Sequence, residues 1–218
     1  MEFKVDIKIF LLAIIFLLVN QIDMYILFML FAIIHECFHL LTGIILGYKV
    51  KSIKIMPLGL SICFKEIEEE YNTKIKKSNF NNLKKIIILL MGPISNIVIA
   101  FFFMIYNMAE PVYINVLIAI FNLLPIYPLD GGQILNRVLR IIYGNMEAYR
   151  ITNVINNTIM SIITALASIG ILYLKNIAIV FIIIFMWHII IKENKKYKEI
   201  NKYFKCFHKL DKKSGYNI

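Results

Sequence analysis

The chain has 218 residues, of which 60% are hydrophobic and 17% charged, and it carries a formal net charge of +10. That composition is too apolar for an ordinary soluble domain and places the chain in a membrane. The positive charge does not point to nucleic acid, because the cations gather in alternate connections between apolar runs instead of forming one basic face.

The apolar runs fall near residues 9–19, 24–47, 86–106, 112–127, 155–174 and 177–191. A spanning helix needs about 20 mostly apolar residues, so the pattern predicts an all-α polytopic membrane protein with about six transmembrane helices. The first run is short and positively flanked, as in a signal peptide. Asn20-Gln21-Ile22-Asp23 offers no small-residue cleavage site, and the run is therefore read as a helix. Lys4 and Lys8 precede it, nine lysines lie between Lys49 and Lys85, Arg137, Arg140 and Arg150 follow the fourth run, and nine more lysines fill residues 192–213. The opposite connections contain only Lys175. This asymmetry predicts that both termini are cytoplasmic.

The second run contains Ile34-His35-Glu36-Cys37-Phe38-His39-Leu40. Two histidines four residues apart on a helix project from one face about one turn apart and can share a metal. Neutral imidazoles suit zinc. Glu36, about 100° around the helix from His35, is placed to take a proton from water rather than to complete the coordination sphere. Ionisable groups at membrane depth mark functional sites, because a charged one costs on the order of 2 kcal/mol or more there. Residues 48–64 alternate partly in polarity and turn at Pro57–Gly59, which predicts a short membrane-associated β-hairpin after the second helix.

A catalytic zinc usually takes three protein ligands. Of the 14 acidic residues, only Glu36 and Asp130 lie in or beside an apolar run on the cytoplasmic half, which favours Asp130 as the third; His188, beside Trp187, is the rival. Asp130 ends the stretch Asn122-Leu123-Leu124-Pro125-Ile126-Tyr127-Pro128-Leu129-Asp130, followed by Gly131 and Gly132. Two prolines and two glycines predict an unwound segment, tolerated at membrane depth only where protein or a water-filled cavity satisfies the backbone. The cysteines Cys37, Cys63 and Cys206 have no paired spacing and read as reduced. A transporter would need polar lining through the whole membrane thickness, but the outer halves of the spans are apolar.

Together these residues resemble the site-2 protease family of intramembrane zinc metalloproteases, whose signatures His-Glu-x-x-His and Asn-x-x-Pro-x-x-x-Leu-Asp-Gly are both complete here. The resemblance covers roughly residues 5–192. It implies one zinc ion (Zn2+) per chain on His35, His39 and Asp130, with Glu36 as the base. Asn122 matches the motif's asparagine, a position associated in the family with orienting substrate or stabilising the developing oxyanion, with a helix-capping amide as the alternative; Pro125, the motif's proline, is a candidate substrate-binding position beside it. Gly92-Pro93-Ile94-Ser95-Asn96 resembles a Gly-Pro-x-x-Asn element of the same family, with close helix packing as the alternative.

Within the family the layout looks like the sporulation branch, which implies pro-sigma-K as substrate, inhibitory membrane proteins as partners and a bacterial cell membrane as the location. Membrane-tethered regulators or remnant signal peptides are the alternative substrates, and oligomerisation is left open. Residues 1–192 form the expected protease domain and 193–218 a basic cytoplasmic tail, where members of that branch commonly carry a CBS domain. Because a helical peptide bond is poorly exposed to attack, the substrate must be extended first. Ile53 and Ile55, on the hairpin's first strand, are candidate substrate-binding positions for pairing at an open edge, with a plain connecting loop as the alternative.

Overall fold

The structure is a computed structural model that describes residues 2–5, 17, 22–56, 59–64, 75–174, 183–184, 186–188, 190–195 and 198–199. In chain order the elements are β1 (Glu2–Val5), α1 (Ile22–Ile45), β2 (Val50–Met56), β3 (Gly59–Phe64), α2 (Ile75–Ile105), α3 (Ala109–Leu123) and α4 (Asp130–Leu174). Three helical stretches among the described residues, Ile22–Ile45, Asn79–Ile105 and Asp130–Ile169, are long and apolar enough to cross a membrane, and Ala109–Leu123 is a shorter apolar helix. Of the six apolar runs, 9–19 lies almost wholly outside the described residues and 177–191 partly so. The described residues are mostly helical, and three of their helices have the length and apolar character of membrane spans.

Helix α1 begins with Asp23 in its first turn, where a carboxylate complements the positive end of the helix dipole. It stops at a left-handed glycine, Gly47, with φ 87°. The Tyr48 amide reaches back to the Gly43 carbonyl at 2.9 Å and the Gly47 amide to Ile44 at 3.0 Å. That pair of bonds is a Schellman cap, which satisfies carbonyls the helix end would otherwise orphan. The cap turns the chain directly into β2.

The sheet has the order β1-β2-β3. Strands β2 and β3 are antiparallel, with Ile53 opposite Ile62 and Ile55 opposite Leu60. Strand β1 runs parallel to β2, with Phe3 beside Ile53 and Val5 beside Ile55. The sequence pattern did not anticipate this strand, since four residues carry almost no periodicity and their partner lies far along the chain. As a consequence β2 is the central strand. Among the described residues the edge left open on the β2–β3 pair belongs to β3, so Ile53 and Ile55 sit on a backbone already flanked on both sides.

Strand β3 is docked on α1. The Phe64 ring packs where a Cβ on Gly43 would have to stand, and it meets the Tyr48 ring edge-on at a centroid separation of 5.9 Å. Helix α2 packs against α1, α3 and α4. At one end of the bundle Phe31, Ile114 and Ile118 form a buried cluster with Leu27, Ile34 and Phe103 around it. A second cluster gathers Ile126, Met160, Met186 and Ile190 and seats the segment between α3 and α4. Large apolar side chains such as Ile97, Phe101, Leu117 and Ile120 face outward, as a lipid environment favours.

Helix α4 is broken at Gly144 (φ 78°, ψ 173°), a conformation that only glycine adopts readily. The arginines after the fourth apolar run lie on this helix. Arg137 donates to Asn82 of α2 at 3.3 Å, and the Arg140 guanidinium stacks over the Tyr149 ring, 4.6 Å from its centroid.

Candidate metal centre

His35 and His39 project from one face of α1 and are 2% and 5% exposed. Asp130, 8% exposed, opens the first turn of α4, where the helix dipole favours its negative charge. Three atoms converge. The Asp130 Oδ2 lies 3.0 Å from His35 Nε2 and 3.2 Å from His39 Nε2, and the two Nε2 atoms are 3.1 Å apart.

The far side of each ring shows what these contacts are. His39 Nδ1 is 2.7 Å from the Ile88 carbonyl oxygen, which can only accept, so His39 carries its proton on Nδ1. His35 Nδ1 is 3.2 Å from Asn96 Oδ1, also an acceptor. With both protons on the far side, the two Nε2 lone pairs and the carboxylate oxygen face one another. Lone pairs so placed repel unless a cation lies among them. Two imidazoles and one carboxylate are a catalytic zinc donor set, and ligands at about 2.0–2.1 Å in tetrahedral array stand roughly 3.3 Å apart, close to the separations seen. The donor set fits zinc.

Sequence features on the neighbouring elements make this convergence possible. Gly92 of α2 faces the pair, and a Cβ there would collide with His39 Nε2 and approach His35 Nε2 to 2.7 Å. Pro93 lies inside α2 and has no amide hydrogen for the carbonyl one turn earlier, which loosens the turn. In that same turn the Ile88 carbonyl also receives His39. Ser95 caps the Gly92 carbonyl at 2.6 Å.

Between α3 and α4, residues 124–129 leave the helix. The chain reverses tightly, for a Cβ on Gly131 would come within 2.7 Å of the Leu124 carbonyl oxygen and closer still to that of Leu123. The loop is pinned from α4. Asn156 Oδ1 accepts the Tyr127 backbone amide at 2.9 Å, and Gln133 Nε2 donates to the Pro128 carbonyl at 2.9 Å.

Glu36 is half-buried, stands outside the converging group, and interacts electrostatically with His39 and Asp130. Among the described residues His35, His39 and Asp130 are the group able to hold a metal ion; His188 is exposed. Asn122 is half-buried and donates to the Ile118 carbonyl one turn back at 3.1 Å. Pro125 is half-buried in the loop that leads to Asp130. Cys37 is a free, half-buried thiol, while Cys206 lies outside the described residues.

Sequence reasoning did not give roles to Ile88, Gly92 and Asn96 around the histidines, nor to Asn156 behind the loop. The Gly-Pro-x-x-Asn spacing was the available signal for two of them. A backbone carbonyl and an asparagine on a distant helix carry no signal that periodicity could find.

Comparison with known proteins agrees with this architecture. The sequence profile of Peptidase family M50 matches residues 24–112 and 108–166. The chain is 25% identical over 130 residues to the zinc metalloprotease MJ0392 of Methanocaldococcus jannaschii, covering 59% of this chain and 38% of that protein. It is 27% identical over 118 residues to stage IV sporulation protein FB of Bacillus subtilis, covering 49% of this chain and 37% of that protein. The chain therefore matches well under half the length of either relative. A solved structure, the site-2 protease from Methanocaldococcus jannaschii, aligns with a TM-score of 0.65 at 20% identity over 88% of this chain and 89% of that one, which shows a shared fold. With the profile matching more than half of its residues, the chain belongs to Peptidase family M50.

Proposed function

We propose that the protein is an intramembrane zinc metalloprotease of the site-2 type, hydrolysing a peptide bond of a membrane-associated protein near the cytoplasmic face. The observation that carries this reading is the convergence of two imidazole lone pairs and a carboxylate oxygen, all buried, between helices long and apolar enough to span a membrane. His35, His39 and Asp130 would hold zinc, which when bound would supply a Lewis acid for the scissile carbonyl and would lower the pKa of a neighbouring water toward neutrality. Glu36 accepts the proton of the attacking water and delivers it to the leaving amide nitrogen. Asn122 and Pro125, at the entry to the Asp130 loop, contact the substrate chain.

A helical substrate presents its carbonyls tied into its own backbone ladder. The open edge of β3, docked beside the helix that carries both histidines, gives an extended substrate segment a row of backbone partners. In this reading the β2–β3 pair lies at the membrane surface, residues 1–192 with about six spans form the protease domain, and 193–218 form a basic cytoplasmic tail. Both termini are cytoplasmic in a bacterial membrane. The substrate we favour is pro-sigma-K, on the resemblance to the sporulation branch and the likeness to stage IV sporulation protein FB. Membrane-tethered regulators and remnant signal peptides are the alternatives, and membrane proteins that plug the site are the expected inhibitors.

The test is cleavage of a membrane-associated pro-sigma-K-type substrate by the purified protein in detergent, beside its Glu36→Gln form, with zinc counted in both. Cleavage by the parent alone, with about one zinc in each, supports the reading. Zinc in both without cleavage overturns the substrate; absence of zinc from both overturns the ligand set.

A further inference from the structure

We infer that Asn96 is a positioning residue for the metal centre: its side-chain oxygen holds the His35 ring in the tautomer and orientation that offers Nε2 to the ion. The inference rests on the reading that His35, His39 and Asp130 hold zinc, and it concerns a residue of a different helix.

Asp130 and Asn96 are the ends of a short chain of contacts that runs through the His35 ring. His35 Nε2 faces the Asp130 carboxylate at 3.0 Å, and on the opposite side of the ring Nδ1 faces Asn96 Oδ1 at 3.2 Å. Asn96 is fully buried, at 0% exposure, so no water competes for that oxygen from bulk. The two histidines are held differently. His39 uses a backbone carbonyl, Ile88, at 2.7 Å, which is part of helix α2 and cannot be removed by substitution. His35 depends on a side chain.

Packing alone does not account for Asn96. Its Nδ2 has no partner among the described residues, and a buried amide N–H left unpaired is a net cost to the fold. A leucine, with the same branched skeleton and no polar atom, would avoid that cost. The cost is borne where the other end of the same amide touches a metal-ligand candidate, which is the arrangement expected of a residue kept for its oxygen. An outer partner of this kind fixes which ring nitrogen carries the proton and how the ring is turned, and its loss typically weakens metal binding about 10–100-fold. Ser95 lies 3.4 Å from the same oxygen but gives its hydroxyl hydrogen to the closer Gly92 carbonyl at 2.6 Å, so the Asn96 oxygen remains available to His35.

The experiment measures zinc affinity of the full chain in detergent by chelator competition, for the parent, Asn96→Leu, Asn96→Asp and Asn96→Ser, together with thermal unfolding of the metal-free forms. Cobalt(II) is substituted for zinc to read the ligand field directly. The parent binds one ion, and His35→Ala binds none; if the parent binds none, the metal reading itself falls. Asn96→Leu, which keeps the branched skeleton but has no acceptor, is expected to lose about 10–100-fold in affinity and to shift the cobalt absorption band. Asn96→Ser, too short to reach Nδ1, should do the same, whereas Asn96→Asp restores an acceptor and keeps affinity within about threefold of the parent. Affinity of Asn96→Leu or Asn96→Ser equal to the parent overturns the inference. So does an Asn96→Asp form as weak as Asn96→Leu, since the amide would then be acting through its nitrogen. A metal-free Asn96→Leu that has lost its unfolding transition, with Asn96→Ser binding normally, assigns the residue to packing and overturns it as well.

Discussion

Asn156, in the second half of α4, accepts the backbone amide of Tyr127 at 2.9 Å, and so fixes the loop that delivers Asp130 from a point 29 residues further along the chain. Asn156 is 3% exposed and its neighbour Met160 belongs to the same buried cluster as Ile126. The loop is thus held by one directed bond and by apolar packing. Replacing Asn156 with leucine removes the acceptor and keeps the branched skeleton of the side chain. The part-buried Tyr127 amide then loses the partner it has here, at up to about 1–3 kcal/mol. We expect Asn156→Leu to lower the unfolding temperature and reduce proteolysis by about tenfold or more. Zinc content at saturation should be unchanged, which a side-by-side assay and metal count would check. Full activity in a correctly folded variant would show that packing alone holds Asp130.

Glu36 gives a different signature. It lies on the helix that carries both histidines but outside the three converging atoms, which leaves its carboxylate for proton transfer in the proposed mechanism. Glu36→Gln keeps size and polarity and removes basicity. Turnover should fall about 10²–10⁴-fold, the range for loss of a general base, with about one zinc still bound. His35→Ala or Asp130→Ala, by contrast, should lose metal and activity together. Zinc missing from Glu36→Gln would mean that the carboxylate helps to hold the ion.

Gly92 tests the close approach of α2. An added Cβ would collide with His39 Nε2, so the histidine or the helix must shift. Overpacking of this kind costs typically 1–3 kcal/mol, which corresponds to roughly tenfold for each 1.4 kcal/mol. Gly92→Ala should therefore weaken zinc binding by about tenfold or more, measured by chelator competition. Gly144→Ala is the useful contrast, since a Cβ there meets nothing within 4 Å. Its φ of 78° is strained for alanine, so it should lower stability while leaving zinc affinity as it is.

How much of this was legible in the sequence depends on how far apart the cooperating residues stand. His35, Glu36 and His39 lie within one turn and a little more, so helical periodicity alone places both imidazoles on one face. Asp130 was reached because acidic residues are scarce at membrane depth, and the prolines and glycines around it announced an interruption that the structure places at residues 124–129. The parallel pairing of β1 with β2 joins Phe3 to Ile53, and nothing in four residues specifies such a partner. Nor could spacing show that α2 is rotated to bring Asn96 to His35 and Gly92 to His39. That rotation is set by packing among α1, α2 and α3, where Phe31 meets Phe103 edge-on at 5.8 Å. Side-chain type locates chemistry in a sequence; the supporting groups are chosen by tertiary contacts that leave no local pattern.

The edge of β3 carries the last prediction. Because β2 is flanked by both β1 and β3, proline at Ile53 would break the sheet itself and could not separate substrate pairing from folding. Among the described residues strand β3 is paired on one side only, and successive amides along a strand point to opposite sides. Of the neighbouring substitutions Ser61→Pro and Ile62→Pro, one removes an amide that pairs with β2 and the other removes one on the open edge. The second kind is tolerated at an edge strand. We expect one of the two to retain zinc and thermal stability while losing most cleavage of a membrane-associated substrate, with the other losing stability as well. Phe64, seated against Gly43, keeps the strand docked in either case. If both variants fold, bind zinc and cleave at the parent rate, substrate does not pair with this edge and must be extended by other means.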